Sequence, residues 1–107
     1  MAIKRTLKVV LVEPAGPINV GSVARLCKNF NVHELRLVSP RCNHLEQEAK
    51  KMAVRGLNIL EKATVYKDLN SAVADCSRIL ATCGRKEHGE IPLNSNTDAL
   101  SWALKSE

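Results

Sequence analysis

Aromatic side chains are scarce: Phe30, Tyr66 and Trp102 are the only three in 107 residues. Proteins that hold unpaired bases stack them on exposed rings, so a nucleic-acid partner would have to be recognised here through phosphate and shape. No apolar run approaches the roughly 20 residues needed to cross a bilayer. The start, "MAIKRTLKVVLVE", has the basic-then-apolar order of a signal peptide. Its apolar run is only about six residues and meets Glu13-Pro14 without a small-residue cleavage site, so it reads as a strand. A cytoplasmic protein without a membrane partner is expected. Cys27, Cys42, Cys76 and Cys83 form no CxxC pair, and His33, His44 and His88 add no ligand spacing. No metal site is therefore expected, and the thiols read as reduced residues in or beside the core. The GKS/T of a Walker loop, the GxGxxG of a dinucleotide fold and the acidic cluster of a receiver domain are also missing. Their absence weighs against a flavodoxin-like nucleotide or signalling domain.

What is present is ordinary for a globular chain, with 45% hydrophobic and 25% charged residues. The length fits one small domain or part of a larger one. A formal net charge of +5 favours a polyanionic partner such as RNA or DNA.

Residues 7–13, "LKVVLVE", form a short β-branched run expected of a strand covered on both faces. "INVGSVARLCKNF" then switches to helical spacing, with Val20, Val23, Ala24 and Cys27 on one face. Residues 34–40, "ELRLVSP", read as the next strand. Asn43 and Glu46 resemble a capping box before a helix that buries Leu45, Ala49, Met52 and Ala53 and closes at Gly56. Residues 63–67 read as a third strand, and Asp68 caps a short helix with Leu69, Ala72, Val73 and Cys76 on its apolar face. Residues 78–84, "RILATCG", read as a fourth strand. A polar stretch and a helix around Leu100, Ala103 and Leu104 follow. Alternating strands and helices predict an α/β fold, a parallel sheet with helices on both faces. Ligands of such sheets bind beyond the carboxyl ends of the strands, here segments 13–22, 39–44 and 83–90. The chain stops after a helix where the pattern calls for another strand.

The segment "PINVGSVARLCKNF" invites two readings. In the first, Asn19 is an N-cap, Ile18 and Val23 form a hydrophobic staple, and Gly21 admits a backbone or ligand close to the first turn. Arg25 is then a solvated charge on a stripe with Ser22 and Asn29. In the second, its guanidinium stands near a helix start at the sheet rim, suited to phosphate or ribose.

"VLVEPAGPINVGSVARLCKNFNVHELRLVSP" resembles the first motif region of the SpoU branch of the SPOUT superfamily, most closely the TrmJ-like tRNA enzymes. The pattern is a strand, Glu, a short loop, N-x-G-S-x-A-R, a helix, and a second strand ending in "LVSP". "EAKKMAVRGLNIL" and "DLNSAVADCSRILATCGR" resemble the family's next helix and its third helix with the following strand. The resemblance runs over nearly the whole chain. It implies an S-adenosyl-L-methionine-dependent ribose 2′-O-methyltransferase of tRNA or rRNA, homodimeric in full-length form. By the same resemblance Asn19 and Arg25 match the positions assigned to catalysis and RNA contact. Gly21 and Ser22 match the tight helix start between them, counted with the RNA-binding residues. Thr82, Cys83 and Gly84 match the segment that touches the methyl donor, and Arg85 follows on the same rim as a residue for RNA phosphate.

The family's later motifs, a glycine-rich "G-x-E-x-x-G" loop and a final "SLN" segment, build its knot and do not occur here. Residues 1–107 are accordingly expected to be the N-terminal half of a SPOUT α/β-knot domain. The knot-forming half is absent, and the chain by itself is expected to be inactive with weak or no donor affinity. The rival from another class is a non-catalytic RNA-binding or assembly module.

Overall fold

The computed structural model describes residues 6–81. Thr6–Ala74 form one compact unit, and residues 75–81 belong to a second. In the first unit the order is β1 (Lys8–Val12), α1 (Pro17–Asn29), β2 (Glu34–Val38) and α2 (Gln47–Ala53). A single 3₁₀ turn (Val54–Gly56) leads into α3 (Leu57–Glu61), β3 (Thr64–Tyr66) and α4 (Leu69–Val73). The strands form a parallel sheet in the order β1-β2-β3. Among the described residues no helix is long and apolar enough to cross a membrane.

Register decides which side chains share a face. Val9 pairs with Leu35 and Leu11 with Leu37, so these four line one side. Against them pack Val20, Ala24 and Cys27 of α1, Ala49 and Ala53 of α2, and Ile59 and Leu60 of α3. Leu37 is fully enclosed, and burying such a side chain contributes about 1.5–3 kcal/mol. Many of the helix contacts are alanines, and two are glycines, so the backbones approach closely. A Cβ at Gly21 would stand 2.2 Å from the Ala49 carbonyl oxygen, and one at Gly56 would stand 2.4 Å from that of Ala24.

The opposite face is organised by a charge. Arg36 lies at the centre of β2 and is only 4% exposed. Its Nε donates to Glu34 Oε2 at 2.6 Å, and its Nη1 donates to the Ala72 carbonyl at 2.7 Å. The Tyr66 ring centroid is 5.8 Å from the guanidinium. The cost of burying this cation is offset by these partners, and the bond to Ala72 ties α4 to the sheet. Helices therefore cover both faces, as the alternating pattern predicts.

Several local expectations change. β1 is only half-buried, and its Val12 is exposed: among the described residues β1 pairs on one side alone, while β2 is paired on both. Asn43 does not cap α2. Its Oδ1 accepts the Leu45 N–H at 2.9 Å and its carbonyl accepts the Glu46 N–H at 3.1 Å. This local turn leaves Leu45 exposed, with Glu46 as the N-cap. The helix closes at Ala53 rather than Gly56, because Val54 takes a φ of 50°, and α3 then begins as a separate element. Asp68 does cap α4, accepting the Ser71 N–H at 2.8 Å. That bond holds its carboxyl below the usual carboxylate range. The fourth strand is not found in residues 78–81, which are irregular with Ile79 and Leu80 exposed. Ile79 and Leu80 bury little there, and β propensity without packing does not make a strand. Residues 82–84, the polar stretch and the helix around Leu100 lie outside the described residues.

Candidate active site at the strand-end rim

The carboxyl ends of the three strands form one rim. The Glu13 N–H donates to the Val38 carbonyl at 2.7 Å, and the Ser39 N–H donates to that of Tyr66 at 2.8 Å. The ladder thus runs one residue past β1 and β2. Two loops rise from there. The loop after β1 carries Glu13, Pro14, Ala15 and Gly16 into α1, and the loop after β2 carries residues 39–44. Arg41 joins them: its Nη2 and Nε donate to Glu13 Oε1 at 2.6 and 3.1 Å, and its N–H donates to the Pro14 carbonyl at 2.9 Å. Ser39 Oγ donates to the Lys67 carbonyl at 2.8 Å, adding the end of β3. His44 is half-buried in the second loop, and burial pushes its imidazole below its ordinary pKa.

The helix start differs from the expected one. Gly16, in extended conformation, is the N-cap and Pro17 is the first helical residue. Proline suits that position because its fixed φ is helical and its missing N–H is not needed. Asn19 is therefore the third helical residue, exposed, with no capping bond. Its carboxamide lies over Gly16, Nδ2 being 3.6 Å from where a Gly16 Cβ would stand. The Ile18–Val23 staple does not form, and Ile18 is exposed. Gly21 is buried against α2, so what comes close to this first turn is the backbone of Ala49. Its side of the helix faces the core rather than a ligand.

The polar stripe holds as expected. Arg25 and Asn29 are exposed and Ser22 is half-buried, opposite the buried Val20, Ala24 and Cys27. Arg25 makes no hydrogen bond or ion pair with another described residue. Helical Cα–Cβ bonds tilt toward the N-terminus, so this side chain leans toward the rim end of its helix. Its backbone is held from behind: a Cβ on Gly56 would stand 2.9 Å from the Arg25 nitrogen. The structure thus gathers Asn19, Ser22 and Arg25 on the outer surface of α1. Thr82, Cys83, Gly84 and Arg85 lie outside the described residues.

Sequence reasoning missed Glu13, Arg41 and Gly56 as parts of this arrangement. Opposite charges just past two adjacent strands were the available signal for the first two. Nothing local distinguishes Gly56 from a helix-terminating glycine.

Comparison with known proteins places the chain in a family. The sequence profile of the SpoU rRNA Methylase family matches residues 6–104. The tRNA (cytidine-2′-O-)-methyltransferase TrmJ of Methanocaldococcus jannaschii is 38% identical over 80 residues, covering 75% of this chain and 34% of that protein. The tRNA (cytidine/uridine/adenosine-2′-O-)-methyltransferase TrmJ of Pseudomonas aeruginosa is 34% identical over 99 residues, covering 92% and 38%. Among solved structures, TrmJ from Z. mobilis ZM4 aligns with a TM-score of 0.62 at 35% identity, over 70% of this chain and 32% of that one. A probable methylase family protein from Haemophilus influenzae aligns with a TM-score of 0.68 at 32% identity, over 76% and 34%. The chain spans about a third of the length of the curated relatives it matches, consistent with the N-terminal half of such a domain. With its parallel sheet, its helices on both faces and this profile match over most of its length, the chain belongs to the SpoU methylase family.

Proposed function

We propose that this chain serves S-adenosyl-L-methionine-dependent 2′-O-methylation of RNA ribose, with tRNA as the substrate. The observation that carries the proposal is the exposed Arg25 on α1, unpartnered among the described residues, in a chain of the SpoU family. When bound, S-adenosyl-L-methionine supplies a methyl group on a sulfonium. Thr82, Cys83 and Gly84 are the residues proposed to meet it, and Arg85 is proposed to meet RNA phosphate.

The task left to the described residues is positioning and charge stabilisation. The ribose 2′-oxygen must lie nearly in line with the methyl group and lose its proton as it attacks. A guanidinium delocalises its charge, keeps its proton and is a poor base. Arg25 therefore acts by gripping phosphate and stabilising the developing alkoxide, while Asn19 orders the loop at Gly16. Gly21 contributes by letting α1 seat closely on α2, and Ser22 continues the polar stripe toward Arg25.

The test is methyl transfer to tRNA by residues 1–107 and by a chimera carrying them in place of the matching segment of the Pseudomonas aeruginosa relative. Arg25→Ala in the chimera is expected to lower turnover about a hundredfold, with Arg25→Lys intermediate across a pH series. Full activity of both variants refutes a role for Arg25. Residues 1–107 alone are expected not to bind S-adenosylhomocysteine at micromolar concentration in calorimetry. The net charge of +5 supports a second reading, a non-catalytic RNA-binding module. An inactive chimera that still binds tRNA favours that reading.

A further inference from the structure

Two neighbouring strand ends are finished in the same unusual way. Glu13 after β1 and Ser39 after β2 both take left-handed backbone, with φ of 49° and 42°. Residues other than glycine adopt this conformation sparingly, and it concentrates at functional sites. In each case the side chain then fastens one rim loop to another. Ser39 Oγ bonds the carbonyl of Lys67, and Glu13 Oε1 accepts two N–H groups of Arg41. Together with the Arg41 N–H on the Pro14 carbonyl, Arg41 holds the β1–α1 loop through three hydrogen bonds.

This pair is not built for stability. The Arg41 and Glu13 side chains are 68% and 49% exposed, and ion pairs in such surroundings contribute little to folding. Its effect is geometric. The clamped loop runs directly into Gly16 and Pro17, the N-cap and first residue of α1. The carboxamide of Asn19 lies over Gly16, and Arg25 rides on the same thirteen-residue helix. We propose that Glu13 and Arg41 are positioning residues, a clamp that sets the entry of α1 and through it the presentation of Arg25 to RNA. The proposal rests on the reading of Arg25 as a phosphate-gripping residue.

Charge gives the clamp a signature that bulk electrostatics does not share. Glu13→Gln removes a negative charge from a chain that already carries +5. Counterion release alone would then tighten binding to a polyanion, whereas loss of the clamp weakens it. Arg41→Lys keeps the charge but loses the planar fork that donates from two nitrogens.

The experiment measures tRNA affinity of residues 1–107 by fluorescence anisotropy at fixed salt, with unfolding midpoints recorded in parallel. Glu13→Gln and Arg41→Lys are each expected to weaken binding about three- to tenfold, the cost of ordering a freed loop, with little change in midpoint. The exchanged pair Glu13→Arg with Arg41→Glu is expected to recover affinity to within about twofold of the parent. In an Arg25→Ala background both single effects are expected to vanish, because the clamp acts through Arg25. Tighter binding by Glu13→Gln, or effects that persist undiminished without Arg25, overturns the clamp alone. Unchanged affinity of Arg25→Ala overturns the reading of Arg25 and the clamp with it.

Discussion

Replacing Gly21 by alanine sets two forces of opposite sign against each other. In the interior of α1, helix propensity favours alanine over glycine by about 1 kcal/mol. The packing opposes it. The new Cβ would lie 2.2 Å from the Ala49 carbonyl oxygen, 2.9 Å from Met52 Cβ and 3.0 Å from the Ala49 carbonyl carbon, where ordinary contact begins at 3.4 Å. The oxygen belongs to the backbone of α2 and cannot rotate away, so α1 and α2 must part by about 1 Å. A gap of that size forfeits a quarter to a half of each dispersion contact along the interface. Overpacking of this kind costs up to about 3 kcal/mol, leaving a net loss of about 2 kcal/mol once the propensity gain is subtracted. For a domain of this size the midpoint falls roughly 8–16 °C. Urea and thermal unfolding followed by circular dichroism measure both quantities. A variant as stable as the parent, or more stable by the propensity increment, refutes the close approach of these helices.

Three further outcomes follow from particular side chains. The Arg36 hydrogen bond, with help from Lys8, holds the Glu34 carboxyl below its ordinary pKa. The stability it adds is complete above the unfolded pKa near 4.3 and is lost as pH falls through the lower folded value. Urea titrations should show part of the acid destabilisation below about pH 4 disappearing in Glu34→Gln. Val54 has φ 50° and ψ −113° and is 57% exposed. Val54→Gly relieves that strain with little loss of burial and should stabilise the fold by about 1 kcal/mol in urea melts; a destabilised variant contradicts it. Cys27 is buried in the core and burial pushes its thiol up. A thiol reagent such as an aromatic disulfide should therefore label Cys27 only on unfolding, and its rapid labelling in the native protein would show that the core is open.

Part of this architecture is legible from local pattern, because the forces that set it are local. Three strands lie within the runs expected for them: β1 in 7–13, β2 in 34–40 and β3 in 63–67. Val20, Ala24 and Cys27 recur at helical spacing and are buried together. Asp68 caps its helix because a carboxylate three residues before a free N–H needs no distant partner. The candidate site is less legible. Arg25 could be placed on an outward stripe by periodicity, but the role proposed for it rests on the family resemblance. The start of α1 is not legible locally, because Asn19 is a good cap in isolation while Gly16-Pro17 supplies a start one turn earlier.

By itself the sequence determined the parallel α/β class, the outward stripe of Ser22, Arg25 and Asn29, and, through its motifs, membership of the SpoU family. Tertiary structure alone decided that Arg36 is the buried pin of the central strand, since its partners Ala72 and Tyr66 are remote in the chain. It also decided that Gly21 and Gly56 are contact points between backbones, and that Glu13 meets Arg41 across a separation of 28 residues. Propensity and periodicity report on forces acting within a turn or a strand pair. Close approach and charge pairing depend on which distant groups the sheet register and helix packing bring face to face.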